Sequence, residues 1–68
     1  MSKPLNRLKV VLAEQQKTNK WLAEKLGKDV TTVSKWCTNK SQPGLETLIE
    51  ISTTLNVEVS ELLRTSKD

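Results

Sequence analysis

Apolar residues recur along this chain at spacings of three and four, in short stretches divided by polar turns. Leu5, Leu8, Val11 and Leu12 keep that spacing, which predicts a first helix over roughly Leu5 to Gln16 with one stripe turned to a core. Thr18 suits the start of a second helix, because its hydroxyl can accept from a free N–H of the first turn. Within that helix Leu22 and Leu26 form an i, i+4 pair, with Ala23 beside them. Gly27 ends it, since glycine takes the left-handed backbone without a Cβ penalty. Asp29 is the next cap, its charge matched to a helix N-terminus. A third helix then covers about residues 30–38. Val33, Trp36 and Cys37 share one of its faces; Thr31, Ser34, Lys35 and Thr38 share the other.

The polar loop Thr38–Pro43 follows, where Asn39 can hold a left-handed position. A fourth helix is predicted over Leu45–Leu55, with Gly44 or Ser41 helping its entry. Leu48, Ile51, Ser52 and Leu55 are its inner stripe, aided by Leu45, while Ile49 falls outside and is expected to be exposed. Asn56 is the expected C-cap. A last helix covers roughly Glu58–Leu63, with Val57, Val59, Leu62 and Leu63 apolar. Residues 1–4, with Pro4 near the first helical position, and residues 64–68 read as loose ends. The expectation is an all-α bundle of five short helices forming one domain over 1–68, structured from about 5 to 63.

Composition narrows the function more than the fold. A chain of 68 residues buries only about 60% of its unfolded surface, so one small core is the limit. No apolar run approaches the roughly 20 residues that span a bilayer, and MSKPLNRLKVV lacks the apolar stretch of a signal peptide. A cytoplasmic location and no membrane partner are therefore expected. One Cys and no His leave almost nothing to build a zinc site from, so no metal or cofactor is expected. An enzyme would need a convergent acid, base or nucleophile, and none is evident.

The net charge of +3 is modest, but its distribution is not even. Residues 17–40 hold six lysines (17, 20, 25, 28, 35 and 40) against Glu24 and Asp29, a net +4. Residues 41–68 hold Arg64 and Lys67 against Glu46, Glu50, Glu58, Glu61 and Asp68, a net −3. The positive half is where an anionic partner would be met. A solvated lysine surface of no special purpose is the plainer reading of the same residues.

A short helix, a turn with glycine and a second helix with a polar outer face match the helix-turn-helix motif. Ala23 suits the crossing point of the two helices, where a larger side chain would force them apart. Ala23, Gly27, Val33 and Trp36, with PGLETL at Pro43–Leu48 and NVEVSELL at Asn56–Leu63, resemble the phage repressor and Cro-type (XRE-like) helix-turn-helix family. The resemblance runs from about Leu8 to Leu63 and implies a lambda repressor-like DNA-binding fold. It also implies a transcriptional regulator that binds double-stranded DNA, with the third helix in the major groove.

By position, Val30, Thr31 and Lys35 match the base-reading residues of that family, with Thr32 and Ser34 as secondary candidates. Thr31 can donate or accept, Lys35 can donate to guanine O6 and N7, and Val30 offers only apolar contact. The other reading of Val30 is a core residue at the helix entry. Phosphate contacts, which fix the register before bases are read, fall to Asn19, Lys20, Lys28, Thr38, Asn39, Lys40 and Ser41. Asn19 stands where the family often has Gln, and its amide reaches less far. Any single lysine here is as readily an idle solvated side chain.

Trp36 takes an apolar core position of the family. Trp21 takes a position usually polar there, and is read either as covering the edge of the core or as part of a partner surface. The family often pairs a Glu at the end of the third helix with an Arg on the first. Here those positions are Cys37 and Leu12, so Cys37 is expected to be buried against Leu12 with no charge left unpaired. A redox-sensing Cys37 is the alternative, without a flanking His or second Cys to support it.

One recognition helix reads few base pairs, and the resemblance implies a homodimer formed through Leu55, Val57, Val59 and Leu63. The other reading is that these residues close the core of a monomer. So small a core leaves little room for a small-molecule effector. The rival function is a protein-interaction module, antitoxin-like or an adapter, on the same fold.

Overall fold

The computed structural model describes residues 5–63. Five helices follow in order: α1 Leu8–Glu14, α2 Asn19–Leu26, α3 Val30–Cys37, α4 Leu45–Leu55 and α5 Val59–Leu62. Apart from one isolated antiparallel bridge between Asn6 and Leu63, the described residues are helix and turn. The expected all-α architecture is the one observed. The loose ends expected at 1–4 and 64–68 lie outside the described residues.

The core is a single cluster with at least one side chain from every helix: Leu8, Val11 and Leu12; Leu22 and Ala23; Val33, Trp36 and Cys37; Ile51 and Leu55; and Leu62. Trp21, Leu26, Leu48 and Val57 pack on its margin. Burial of a leucine-sized side chain stabilises by about 1.5–3 kcal/mol. The apolar stripes are therefore enough to select which face of each helix turns inward.

Each of the first four helices ends by the same device. Lys17 N–H donates to Leu12 O, Lys28 to Ala23 O, Lys40 to Lys35 O and Val57 to Ser52 O, each at 2.9 Å. The residue just before each donor is left-handed: Gln16 (φ 58°), Gly27 (φ 66°), Asn39 (φ 61°) and Asn56 (φ 56°). This is the Schellman closure, which satisfies a free carbonyl and turns the chain sharply. Gly27, Asn39 and Asn56 were legible as such positions; Gln16 was not, because glutamine has no special tolerance for that region.

The starts follow the cap rules unevenly. Thr18 Oγ1 accepts from Trp21 N–H at 3.0 Å, and the Asp29 carboxylate from Thr31 N–H at 3.5 Å. Gly44, rather than Ser41, precedes α4 and offers no side-chain cap. At α5 Glu58 and Glu61 form a capping box, with Glu58 N–H donating to Glu61 Oε2 at 2.7 Å.

Two sequence expectations need correction. The first helix begins at Leu8, not Leu5, and Leu5 is 63% exposed instead of lying in the stripe. The reason is Asn6, which is buried and fully bonded. Its Nδ2 donates to Trp36 O (2.9 Å) and Gln42 Oε1 (2.8 Å), and its Oδ1 accepts from Leu8 N–H (2.9 Å). That last bond satisfies the first N–H of α1 from two residues upstream and leaves Leu5 outside the helix. Leu45 is also outside the core, at 71% exposure, because the first turn of α4 overhangs its inner stripe. Ile49 is exposed, as expected, and Ser52 is buried with its hydroxyl donating to Ile49 O at 2.7 Å.

Asn6→Ala leaves the buried Leu8 N–H without its partner, while Trp36 O keeps the Asn39 N–H at 3.1 Å, and an unpaired buried polar group costs about 1–3 kcal/mol. Urea unfolding should show a loss of about that size. Gln16→Gly should act the other way. A left-handed L-residue is strained by roughly 1–2 kcal/mol, and the extra chain entropy of glycine offsets about 0.5–1 of that relief. A gain of about 0.5 kcal/mol is expected; a loss would mean that the Gln16 side chain is not idle.

Candidate nucleic-acid interface

The second and third helices pack against each other, Ala23 of α2 is buried, and the left-handed Gly27 turns α2 into α3 within three residues. Leu22 and Val33, both fully buried, hold the pair from beneath. This leaves the opposite side of α3 facing outward. Thr31, Lys35 and Thr38 are exposed there at i, i+4, i+7 spacing, with Thr32 and Ser34 half-buried along its edges. Val30 opens the helix at 42% exposure, so it lies outside the core and its methyls are available.

Of the expected phosphate contacts, Lys20, Lys28, Lys40 and Ser41 are exposed around this face. Lys20 is near the start of α2, Lys28 in the turn, and Lys40 and Ser41 just past α3, so basic groups flank the polar face at both ends. Thr38 is exposed but its hydroxyl folds back, within 3.1 Å of Ser34 O and 3.3 Å of Lys35 O.

Two asparagines depart from expectation. The Asn39 Oδ1 accepts from Leu5 N–H, Asn6 N–H and Gln42 Nε2 at 2.9, 2.9 and 3.0 Å, and its Nδ2 donates to Asn6 O at 3.3 Å. A side chain so fully occupied ties the segment before α1 to the end of α3 and has little left for a phosphate. Asn19 likewise turns inward: its Nδ2 donates to Ser34 Oγ at 3.3 Å, and its Oδ1 accepts from Cys37 Sγ at 3.2 Å. Reading by residue type marked both as polar and available; the sequence carried no signal for partners 33 to 34 and 15 to 18 positions away. Asn6, which completes the Asn39 knot, was missed for the same reason.

Cys37 is buried in the same core cluster as Leu12, in keeping with the expected apolar replacement of an ion pair. Burial pushes its thiol above the ordinary value of 9.0, with nearby Lys9 pulling weakly the other way. The thiol is therefore protonated at neutral pH and poorly nucleophilic. Trp21 is half-buried at the core margin and carries two cations on its ring: Lys17 Nζ at 4.7 Å and Lys25 Nζ at 5.8 Å from the centroid.

The residues expected at a two-fold interface do not form one exposed patch. Leu55 is 3% exposed, inside the core, with Gln15 Nε2 donating to its carbonyl at 2.8 Å. It has almost no surface left for a partner, which corrects that expectation. Val57 and Val59 are half-buried, and only Leu63, at 40%, is well exposed. Ser52, Thr53, Asn56, Val57, Glu58 and Glu61 line an open, mainly polar groove between α4 and α5. No helix among the described residues is long and apolar enough to cross a membrane.

The arrangement is that of a helix-turn-helix domain: two packed helices, a glycine turn between them and a polar outer face on the second. A helix-turn-helix family model matches residues 8–62, and the chain belongs to that family, of the XRE type. Among solved structures it is similar to the crystal structure of a presumed DNA-binding protein from Bacteroides fragilis. The two are 55% identical over 88% of this chain and 97% of that one, with a TM-score of 0.87. No curated protein matches the chain.

Thiol reactivity tests the Cys37 placement. A disulfide reagent should label the native protein at least about a hundredfold more slowly than the urea-unfolded chain at the same pH. Comparable rates would place the thiol at the surface. Because the folded thiol holds its proton longer than the unfolded one, its contribution to stability is complete below pH 9 and declines as pH rises through that value. Cys37→Val should remove this part of the alkaline decline.

Proposed function

We propose that this chain is a DNA-binding transcriptional regulator that places α3 in the major groove. The observation that carries the reading is the exposed row Thr31, Lys35 and Thr38, led by exposed Val30 and flanked by Lys20, Lys28, Lys40 and Ser41. An α-helix of this width fits the groove, and its side chains include both donors and a methyl-bearing group suited to base edges. The basic groups at either end suit the two phosphate strands that border the groove. The likeness to the Bacteroides fragilis protein, named for presumed DNA binding, supports the same reading.

Val30, Thr31 and Lys35 read bases, with Thr32 at the edge, and Lys20, Lys28, Lys40 and Ser41 hold the backbone. Two copies bind a two-half-site operator, with Val57, Val59 and Leu63 the contacts available on the α5 side. The rival reading, a protein-interaction module, would call for an apolar patch on the outer face of α3. Val30 alone does not make one.

Binding to selected and scrambled duplexes across a salt series tests this. Four lysines flank or lie on the face (20, 28, 35 and 40), so log affinity per chain should fall with log salt by a slope no steeper than about −4. A selected duplex should be preferred by about a thousandfold or more. Lys35→Ala should relax preference at one base pair, whereas Lys40→Ala should weaken every duplex alike and flatten the slope by about one. Weak binding with no preferred sequence would overturn the regulator reading in favour of a protein partner.

A further inference from the structure

The Ser34 hydroxyl, on the edge of the outward face of α3, is held from behind by a short relay. Cys37 Sγ donates to Asn19 Oδ1 at 3.2 Å, and Asn19 Nδ2 donates to Ser34 Oγ at 3.3 Å. The two contacts orient the Asn19 amide, with oxygen toward the thiol and nitrogen toward the serine. A buried protonated thiol can supply the first hydrogen, and an NH2 group can only donate. The Ser34 proton therefore cannot turn inward to Asn19. Accepting one hydrogen bond also polarises the O–H and strengthens it as a donor. Ser34 is half-buried, three residues after Thr31 and one before Lys35, at the border of the reading face.

We propose that Asn19 and Cys37 are positioning residues that make Ser34 a hydrogen-bond donor to a base edge in the major groove. This rests on the DNA-binding reading above. Guanine shows acceptors O6 and N7 in that groove, whereas cytosine shows the N4 donor. The relay thus favours guanine over cytosine at one base pair. The preference belongs to the interior partner as much as to the serine: placed before an acceptor, the same hydroxyl would spend its proton inward and present its oxygen.

Duplex selection with the wild-type chain, Ser34→Ala and Asn19→Asp tests the inference, with thermal unfolding run alongside. The wild type should prefer guanine over cytosine by about tenfold at one position, and Ser34→Ala should reduce that to under about twofold. Asn19→Asp places an acceptor behind the serine. Overall affinity should fall from the added negative charge, and the preference at that position should turn toward cytosine. A merely structural role for Asn19 would lower stability or affinity without reversing a base preference. Retention of guanine by Ser34→Ala, or by folded Asn19→Asp, overturns the proposal. So does an equal loss across all duplexes in Ser34→Ala, which would mean a phosphate contact. Should Asn19→Asp fail to fold, Ser34→Ala still decides. If the wild type selects no duplex, the DNA-binding reading fails and this inference with it. If the wild type selects one and Ser34→Ala selects the same, this inference alone fails.

Discussion

Among the described residues eleven apolar side chains make the core, and no helix that carries them exceeds eleven residues. Such a core excludes water only if the chain doubles back at once after each helix. The left-handed residue at the end of α1, α2, α3 and α4 does that, and the identical 2.9 Å closures show how uniformly it is done. Only one of the four is glycine. The α2–α3 turn tolerates no slack, since the outward direction of α3 depends on it, and there the strain-free residue is used. The α1–α2 turn carries Gln16 at a position that disfavours it. The buried stripe of α1 is what holds it there, for Leu8, Val11 and Leu12 together outweigh a strain of about 1–2 kcal/mol.

The second constraint is polar. Asn6 is taken out of water among apolar neighbours, and it is stable there because its side-chain and backbone polar groups all find partners. Those partners include the Trp36 carbonyl near the end of α3 and the Asn39 side chain just beyond it. Arg7 N–H meanwhile donates to Leu62 O at 2.8 Å. One short segment thus fastens the end of α3 on one side and the end of α5 on the other. The third helix is held at its start by the Gly27 turn and at its finish by this knot, so its direction does not depend on the exposed side chains of Thr31 and Lys35.

What the sequence shows of this molecule divides along a physical line. Helix stripes, the caps at Thr18 and Asp29, and the turns at Gly27, Asn39 and Asn56 are local: each follows from a residue's own preferences and its spacing to neighbours. These were all legible. The roles of Asn6, Asn19 and the Asn39 side chain are decided by partners far along the chain, and a polar residue by itself does not say whether it faces water, phosphate or another amide. The same gap explains Leu5 and Leu45. Both fit a helical period, but the period does not say where the core ends. For the candidate interface, residue type and spacing identified the outward row on α3; they could not tell that Asn39 and Asn19 were already engaged.

That engagement changes how the charge of the chain should be weighed. The net +4 of residues 17–40 suggests a strongly basic face, yet Lys17 and Lys25 both lie over the Trp21 ring. A cation over an aromatic face gains roughly 0.5–1 kcal/mol at an exposed site, which a phosphate would have to exceed to draw it away. These two lysines also cover the exposed flank of a tryptophan that would otherwise be an apolar spot at the core margin. Part of the positive charge is therefore structural cover, and the rest, on Lys20, Lys28, Lys35 and Lys40, is spread thinly around one helix. On the proposed reading, a modest charge of this kind gives weak nonspecific attraction to DNA and leaves discrimination to the side chains that meet the bases. On that same reading the polarity of single hydroxyls such as Thr31 and Ser34 is assigned more of the selectivity than it would carry on a heavily basic surface.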